Sequence, residues 1–109
     1  MANETILIVD SKPVQQQILS VALKKAGYRV SVADSVHVAL EQLESDVPDM
    51  VFSDTAFPDG DGFDFVRAFR ADARFQGVPF VFVTEDNSLP QKMKAFEAGA
   101  DDYLTTPFT

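Results

Sequence analysis

Apolar residues along this chain fall into two kinds of segment, short near-continuous runs and longer stretches with helical spacing. The first run, Thr5–Val9, has the composition of a strand that is buried on both faces of a sheet. Pro13 then suits the first turn of a helix, and Gly27 suits its end. Between them the helical spacing predicts one apolar stripe, made of Val14, Ile18, Leu19, Ala22, Leu23 and Ala26.

The same alternation continues to the end of the chain. Further strands are predicted over Tyr28–Ala33, Asp49–Ser53, Val78–Val83 and Tyr103–Thr105. Three more helices are predicted after Asp34 or Ser35, after Gly62, and after Asn87 or Ser88. In the last helix, Leu89, Met93 and Phe96 are expected to form the inner face, and Gly99 is expected to end it. Strands separated by helices of this length predict right-handed βαβ units, and therefore an α/β fold with a parallel sheet.

Two of the predicted strands end in an aspartate, Asp10 after the first strand and Asp54 after the third. If these strands are parallel neighbours, both carboxylates emerge at the carboxyl edge of the sheet, where open α/β sheets place their sites. Paired carboxylates at such an edge suit Mg²⁺, and one of them can instead act as a nucleophile toward phosphorus.

Composition and charge narrow the classes of function. The chain has 109 residues, 46% of them apolar, which predicts a single domain with one core. Its net charge of -8 disfavours direct binding to nucleic acid or to an anionic membrane. The chain has no cysteine, so we expect no disulfide or Cys-based metal site, as fits a reducing compartment. No signal peptide or membrane-spanning run is recognisable in the sequence.

Four segments together resemble the receiver domain of bacterial two-component response regulators. They are Ile6–Asp10, Val51–Asp54 with the following Phe57–Gly62, Val81–Thr84, and Ala98–Phe108. The resemblance covers residues 1–109 and implies a flavodoxin-like, doubly wound sheet with strand order 2-1-3-4-5. It also implies phosphorelay signalling in the cytoplasm, as part of a longer protein, and no enzymatic activity of the domain's own.

The resemblance carries the family's roles to individual positions of this sequence. Asp54 matches the phosphoacceptor, and Asp10 matches one of an acidic pair that helps to hold Mg²⁺. The backbone carbonyl of Ala56 falls where the family completes its metal site. Thr84 matches the hydroxyl that turns toward the phosphoryl group, and Tyr103 matches the switch aromatic of the fifth strand.

Three positions depart from the family pattern. Ser11 replaces the second acid, Thr106 replaces a lysine, and Glu85 stands where a small residue is usual. The site therefore loses a metal ligand and its fixed cation, so we expect weak Mg²⁺ binding unless Glu85 substitutes for the missing acid. Lys12 is the nearest cation in the sequence, which does not by itself give the direction of its side chain.

Three hypotheses of function follow. In the first, a histidine kinase or phosphotransfer protein phosphorylates Asp54, and the domain acts on an output domain or partner protein. In the second, the domain is a pseudo-receiver that mediates protein interactions without phosphate. The third, a metal-dependent hydrolase or nucleotide enzyme on the same fold, is disfavoured because a phosphatase Asp-x-Asp motif would need an acid where Lys12 stands, and no phosphate-binding loop is present.

The fifth strand is followed at once by the end of the sequence, Thr109. The first helix is then expected to stand alone on one face of the sheet, leaving apolar strand residues exposed there. We expect either that the natural chain continues past Thr109 into a fifth helix, or that a second copy covers this face in a homodimer.

Overall fold

The structure is a computed structural model that describes residues 4–106, in which strands and helices alternate as the sequence predicts. In chain order the elements are β1 (Thr5–Val9), α1 (Pro13–Lys25), β2 (Arg29–Ala33), α2 (Val36–Ser45), β3 (Met50–Ser53), β4 (Ala56–Phe57), β5 (Gly60–Asp61), α3 (Gly62–Ala71), a short 3-10 turn (Ala73–Phe75), β6 (Phe80–Thr84), α4 (Leu89–Ala98) and β7 (Asp102–Thr105). The residues that the resemblance places beyond position 106, including Pro107 and Phe108, lie outside the described part.

The five longer strands form one parallel sheet in the order β2-β1-β3-β6-β7. This is the predicted order 2-1-3-4-5 of the doubly wound, flavodoxin-like fold, because β4 and β5 lie outside the main sheet. They form a two-stranded antiparallel ribbon in which Ala56 pairs with Asp61 and Phe57 pairs with Gly60. The ribbon was not predicted, since two-residue strands leave no recognisable apolar period.

The larger core lies between the sheet and helices α2, α3 and α4. Aromatic side chains fill it, and Phe69 stacks on Phe75 with a centroid distance of 4.8 Å. Phe80 and Phe82 on the fully buried strand β6 contact each other edge-to-face at 5.2 Å. Such pairs prefer offset or tilted geometries, and they give this layer its packing.

Among the helices within residues 4–106, α1 alone packs on the opposite face of the sheet. Its Leu19 packs with Ile8 and Val83 in a second, smaller cluster. By contrast, Val14 and Ile18 of the same apolar stripe are 73% and 57% exposed. The sequence pattern therefore identified the helix and its row of apolar residues. Among the described residues, however, only part of that row is buried.

The predicted inner face of α4 is wrong. Leu89, Met93 and Phe96 are 68%, 54% and 48% exposed, whereas Ala95 and Ala98 are buried. The three large residues do share one face of the helix, but helical spacing does not say which face meets the sheet. Small alanines lie on the inner side because the aromatic layer beneath α4 already fills that space.

An arginine that the sequence analysis did not identify joins three segments of the chain. Arg70, in the last turn of α3, donates hydrogen bonds to the carbonyls of Gly99 at 2.8 Å and Val78 at 2.7 Å. Its guanidinium also pairs with Asp101 at 2.6 Å, and the Asp101 carboxylate accepts from the Phe80 N–H at 2.8 Å. The group ties the end of α3 to the starts of β6 and β7.

No helix within residues 4–106 is both long enough and apolar enough to cross a membrane.

Candidate functional site

Asp10 and Asp54 come together at the carboxyl edge of the sheet, as predicted. Each follows its strand directly, and the parallel ladder continues for one more residue at both positions. The Asp10 N–H donates to the Ala33 carbonyl at 2.9 Å, and the Asp54 N–H donates to the Val9 carbonyl at 2.9 Å. Both side chains are buried, with exposed fractions of 1% and 3%. Two carboxylates therefore share one enclosed edge.

The start of α1 holds the Asp10 carboxylate. Its Oδ1 accepts from the Lys12 N–H at 2.8 Å, and its Oδ2 accepts from the Gln15 side-chain amide at 2.6 Å. The Gln16 side-chain amide donates to the Asp10 carbonyl. Burial raises the pKa of Asp10, the nearby charge of Asp54 adds to that, and the Lys12 N–H opposes both.

Sequence reasoning missed Gln15 and Gln16. A signal was available, because Pro13 fixes where α1 begins and so places both glutamines in the first turn beside the sheet edge. Polar residues in that turn are ordinary, however, and spacing alone does not indicate that their amides turn back toward Asp10.

The Asp54 carboxylate is less completely engaged. Its Oδ1 accepts from the Thr55 N–H at 2.7 Å. Its Oδ2 is buried and has no hydrogen-bond partner within the described part of the chain. The Nζ of Lys12 lies 3.5 Å from this oxygen, so the Lys12 side chain does point into the site.

The start of α3 approaches the backbone of the loop after Asp54 closely. The N–H of Gly62, the first residue of α3, donates to the Thr55 carbonyl at 2.8 Å. A Cβ at Gly62 would lie 2.6 Å from the Asp54 carbonyl oxygen and 2.9 Å from the Thr55 Cα. Only glycine allows α3 to begin this close to the backbone of Asp54 and Thr55.

Thr84 and Tyr103 lie on the neighbouring strands β6 and β7, and both form hydrogen bonds with Asp86. Thr84 ends β6 and is buried, and its Oγ1 accepts from the Asp86 N–H at 3.3 Å. The Tyr103 hydroxyl donates to the Asp86 carbonyl at 2.6 Å, and its ring lies 6.4 Å from that of Phe82. Burial raises the pKa of Tyr103, the charges of Asp86 and Asp54 raise it further, and a hydrogen bond from Thr84 lowers it.

The three departures from the family pattern occupy different places around the site. Thr106 is anchored by its N–H, which donates to the Thr84 carbonyl at 2.8 Å, while its buried Oγ1 has no hydrogen-bond partner among residues 4–106. Glu85 is exposed and lines a cavity of about 480 Å³ together with Lys12 and Thr106. Within the described residues Glu85 makes no hydrogen bond or ion pair with either aspartate, and Ser11 is half-buried.

The family model described as "Response regulator receiver domain" matches residues 6–109. The chain belongs to this family. Among its relatives, the KDP operon transcriptional regulatory protein KdpE of Escherichia coli (strain K12) is 34% identical over 103 residues, which are 94% of this chain and 44% of that protein. This receiver domain spans about half the length of the curated relatives it matches, 46% of the response regulator Rre1 of Synechocystis, for example.

Solved structures agree with the fold of this receiver domain. The chemotaxis response regulator CheY4 of Vibrio cholerae superposes with a TM-score of 0.93 at 30% identity, covering 99% of this chain and 90% of that one. The receiver domain of the sensor histidine kinase PA1611 of Pseudomonas aeruginosa PAO1 gives 0.89 at 30% identity, covering 99% and 88%. That second structure has a magnesium ion coordinated in its active-site cleft.

The donor set of this receiver domain fits a weakly held Mg²⁺. Asp54 offers the unpartnered oxygen, and Ala56 begins β4 two residues later. Both Asp10 oxygens already accept hydrogen bonds, although each retains a second lone pair. No group of three or more His, Cys, Asp or Glu residues within positions 4–106 could hold a metal. Mg²⁺ is often bound through only one or two protein carboxylates and several waters, so a site with two aspartates is compatible with this ion.

Proposed function

We propose that this receiver domain accepts a phosphoryl group on Asp54 from a histidine kinase or phosphotransfer protein, in a cytoplasmic two-component or phosphorelay pathway. The observation that carries the proposal is the Oδ2 of Asp54. This oxygen is buried at the carboxyl edge of the sheet, beside a second carboxylate, and no hydrogen bond from the described residues occupies it. A carboxylate oxygen that accepts no hydrogen bond from the described residues, and that has the Lys12 ammonium 3.5 Å away, keeps its lone pairs for attack on phosphorus.

In the proposed transfer, an Asp54 oxygen forms a bond to phosphorus as the bond from phosphorus to the donor's histidine nitrogen breaks. The electron pair of the broken bond stays on the imidazole, which then takes up a proton. Mg²⁺, when bound by Asp10, Asp54 and the Ala56 carbonyl, would offset negative charge on the transferring oxygens. Gln15 and the Lys12 N–H hold Asp10 in place throughout.

Thr84 and Tyr103 are proposed to change conformation when Asp54 is phosphorylated. The Thr84 hydroxyl can donate to an oxygen of the phosphorylated Asp54, which weakens its present contacts with Asp86 and Tyr103. Tyr103 then loses part of what holds its hydroxyl on the Asp86 carbonyl. Because Tyr103 lies on β7 at one edge of the sheet, its movement would alter the surface offered to an output domain or partner protein.

Labelling with a small phosphodonor tests the proposal. We expect acetyl phosphate with Mg²⁺ to add one phosphoryl group to the chain, detected by intact mass. The label should be lost in Asp54→Asn and retained in the matched control Asp59→Asn, because Asp59 caps α2 through the N–H groups of Val36 and His37, away from Asp54. A chain that takes no label, or takes it equally in Asp54→Asn, would contradict the proposal.

The second candidate is a pseudo-receiver that works as a protein-interaction module without phosphate. Thr106 supports it, because a short neutral side chain, whose hydroxyl has no hydrogen-bond partner among residues 4–106, stands where the family resemblance expects a lysine. Under this hypothesis Asp54→Asn leaves signalling in the cell intact, whereas the first hypothesis requires that this variant lose it.

A further inference from the structure

Lys12 is held at the acceptor site by its own backbone. Its N–H donates to Asp10 Oδ1 at 2.8 Å, and its φ of -94° and ψ of 112° are extended. An extended residue is what the following Pro13 requires, since a proline disfavours the helical conformation in the residue before it. The backbone is therefore fixed before α1 begins, and the side chain reaches across the edge until Nζ lies 3.5 Å from Asp54 Oδ2.

We propose that Lys12 is the fixed cation of the phosphoryl site, supplied from the start of α1 instead of from the position of Thr106. The inference rests on the proposed function of Asp54 and deepens it. An ammonium group has three donors, so it can pair with the free Asp54 carboxylate and then with an oxygen of the phosphoryl group. Thr106, which lines the same cavity as Lys12, is neutral and brings no charge to this exchange.

The position of Lys12 has a second consequence for the metal. Its ammonium pairs with Asp54 Oδ2, which accepts no hydrogen bond from the rest of the described chain and is therefore also the oxygen that a metal cation would use. Lys12 and Mg²⁺ carry charge of the same sign and compete for that oxygen. Removal of the Lys12 charge should therefore strengthen Mg²⁺ binding while it weakens the hold on a phosphoryl group, two effects that a purely structural role would not produce together.

The test compares Lys12→Ala and Lys12→Arg with the matched control Lys25→Ala. Lys25 ends the same helix, so the control removes the same charge at the opposite end of α1. Two quantities are measured for each variant, the Mg²⁺ dissociation constant from amide shifts at Asp10 and Asp54, and the rate of Asp54 labelling by acetyl phosphate at saturating Mg²⁺. The Lys12 side chain is 54% exposed, and thermal unfolding of each variant checks that the fold is kept.

For Lys12→Ala we expect Mg²⁺ to bind about fivefold more tightly, with labelling slowed roughly tenfold. Lys12→Arg should keep most of the wild-type rate, because it retains the cation, and Lys25→Ala should change neither quantity. If the wild type is labelled, but Lys12→Ala cannot be distinguished from Lys25→Ala in either measurement, the role of Lys12 is overturned. Asp54 then remains the acceptor. A wild type that takes no label overturns the proposed function, and this inference with it.

Discussion

The two faces of the sheet are covered to very different degrees within the described residues. Helices α2, α3 and α4 cover one face over a continuous aromatic layer, in which Phe69, Phe80 and Phe82 are almost fully buried. Within residues 4–106 the other face is covered by α1 alone, with a small cluster around Ile8 and with Val14 and Ile18 exposed. An apolar side chain stabilises a fold only where other groups cover it. Apolar residues with the same helical spacing therefore contribute different amounts to the free energy of unfolding on the two faces.

The comparison predicts that the largest loss of stability comes from the aromatic layer. Phe69 is 1% exposed and stacks on Phe75 at 4.8 Å. Phe69→Ala should lower the free energy of unfolding by about 3–5 kcal/mol, from lost burial and the cavity that remains. Chemical denaturation measures the loss.

The matched control is Phe96→Ala on α4, where the ring is 48% exposed. This change should stay within about 0.5–1 kcal/mol of the wild type. Equal losses for the two variants would show that α4 packs through its large residues after all, as the sequence analysis first expected.

The exposed face of α1 gives a second prediction, of intermediate size. We expect the 109-residue chain to associate with a second copy through Val14 and Ile18, since a contiguous apolar surface is unusual on a monomer. The double change Val14→Ser and Ile18→Ser should weaken that association roughly tenfold or more, by the burial of two aliphatic side chains. Sedimentation at several concentrations measures it.

A control for this prediction lies on α4. Leu89 and Met93 are exposed to a similar degree, so Leu89→Ser with Met93→Ser removes comparable apolar surface elsewhere. If the wild-type chain sediments as a monomer at every concentration, the α1 face needs no cover from another copy. If the α4 pair weakens association more than the α1 pair, the interface lies on α4.

The sequence predicted most of the fold because the parallel sheet leaves a strong signal. Runs such as Thr5–Val9 are apolar throughout only when both faces are buried, and capping residues such as Ser35 mark where helices begin. What failed was the orientation of α4. Two alanines, too small to dominate a hydrophobic pattern, turned out to be the buried residues.

In the candidate site, too, some residues could be predicted from the sequence and others could not. Strand ends predicted that Asp10 and Asp54 lie at one edge, because the fold fixes where a strand stops, whereas Thr84 was identified only through the family resemblance. The residues that contact the two carboxylates were harder to predict. Gln15 and Lys12 act through long side chains whose direction depends on the tertiary structure, and no period in the sequence encodes it.

The third prediction, with the smallest expected effect, concerns Tyr103. This residue connects the aromatic layer with the candidate site. Its ring belongs to the covered face, while its hydroxyl reaches the Asp86 carbonyl beside Thr84. Burial raises its pKa above the ordinary value of 10.0. The neutral phenol is therefore the form that the fold favours, so its contribution to stability is complete below the unfolded pKa and is lost as pH rises through the folded pKa.

Tyr103→Phe should remove the loss of stability that ionisation of Tyr103 causes at alkaline pH. At neutral pH the variant loses only the hydrogen bond to Asp86, which contributes about 0.5–1.5 kcal/mol. Above about pH 10 the difference between variant and wild type should shrink, because only the wild type has a buried phenol to ionise. Thermal unfolding from neutral to alkaline pH measures this, with Tyr28→Phe as the control at the exposed tyrosine. A constant difference across the whole pH range would mean that Tyr103 ionises equally in the folded and unfolded chains, and that its hydroxyl is not enclosed beside the site.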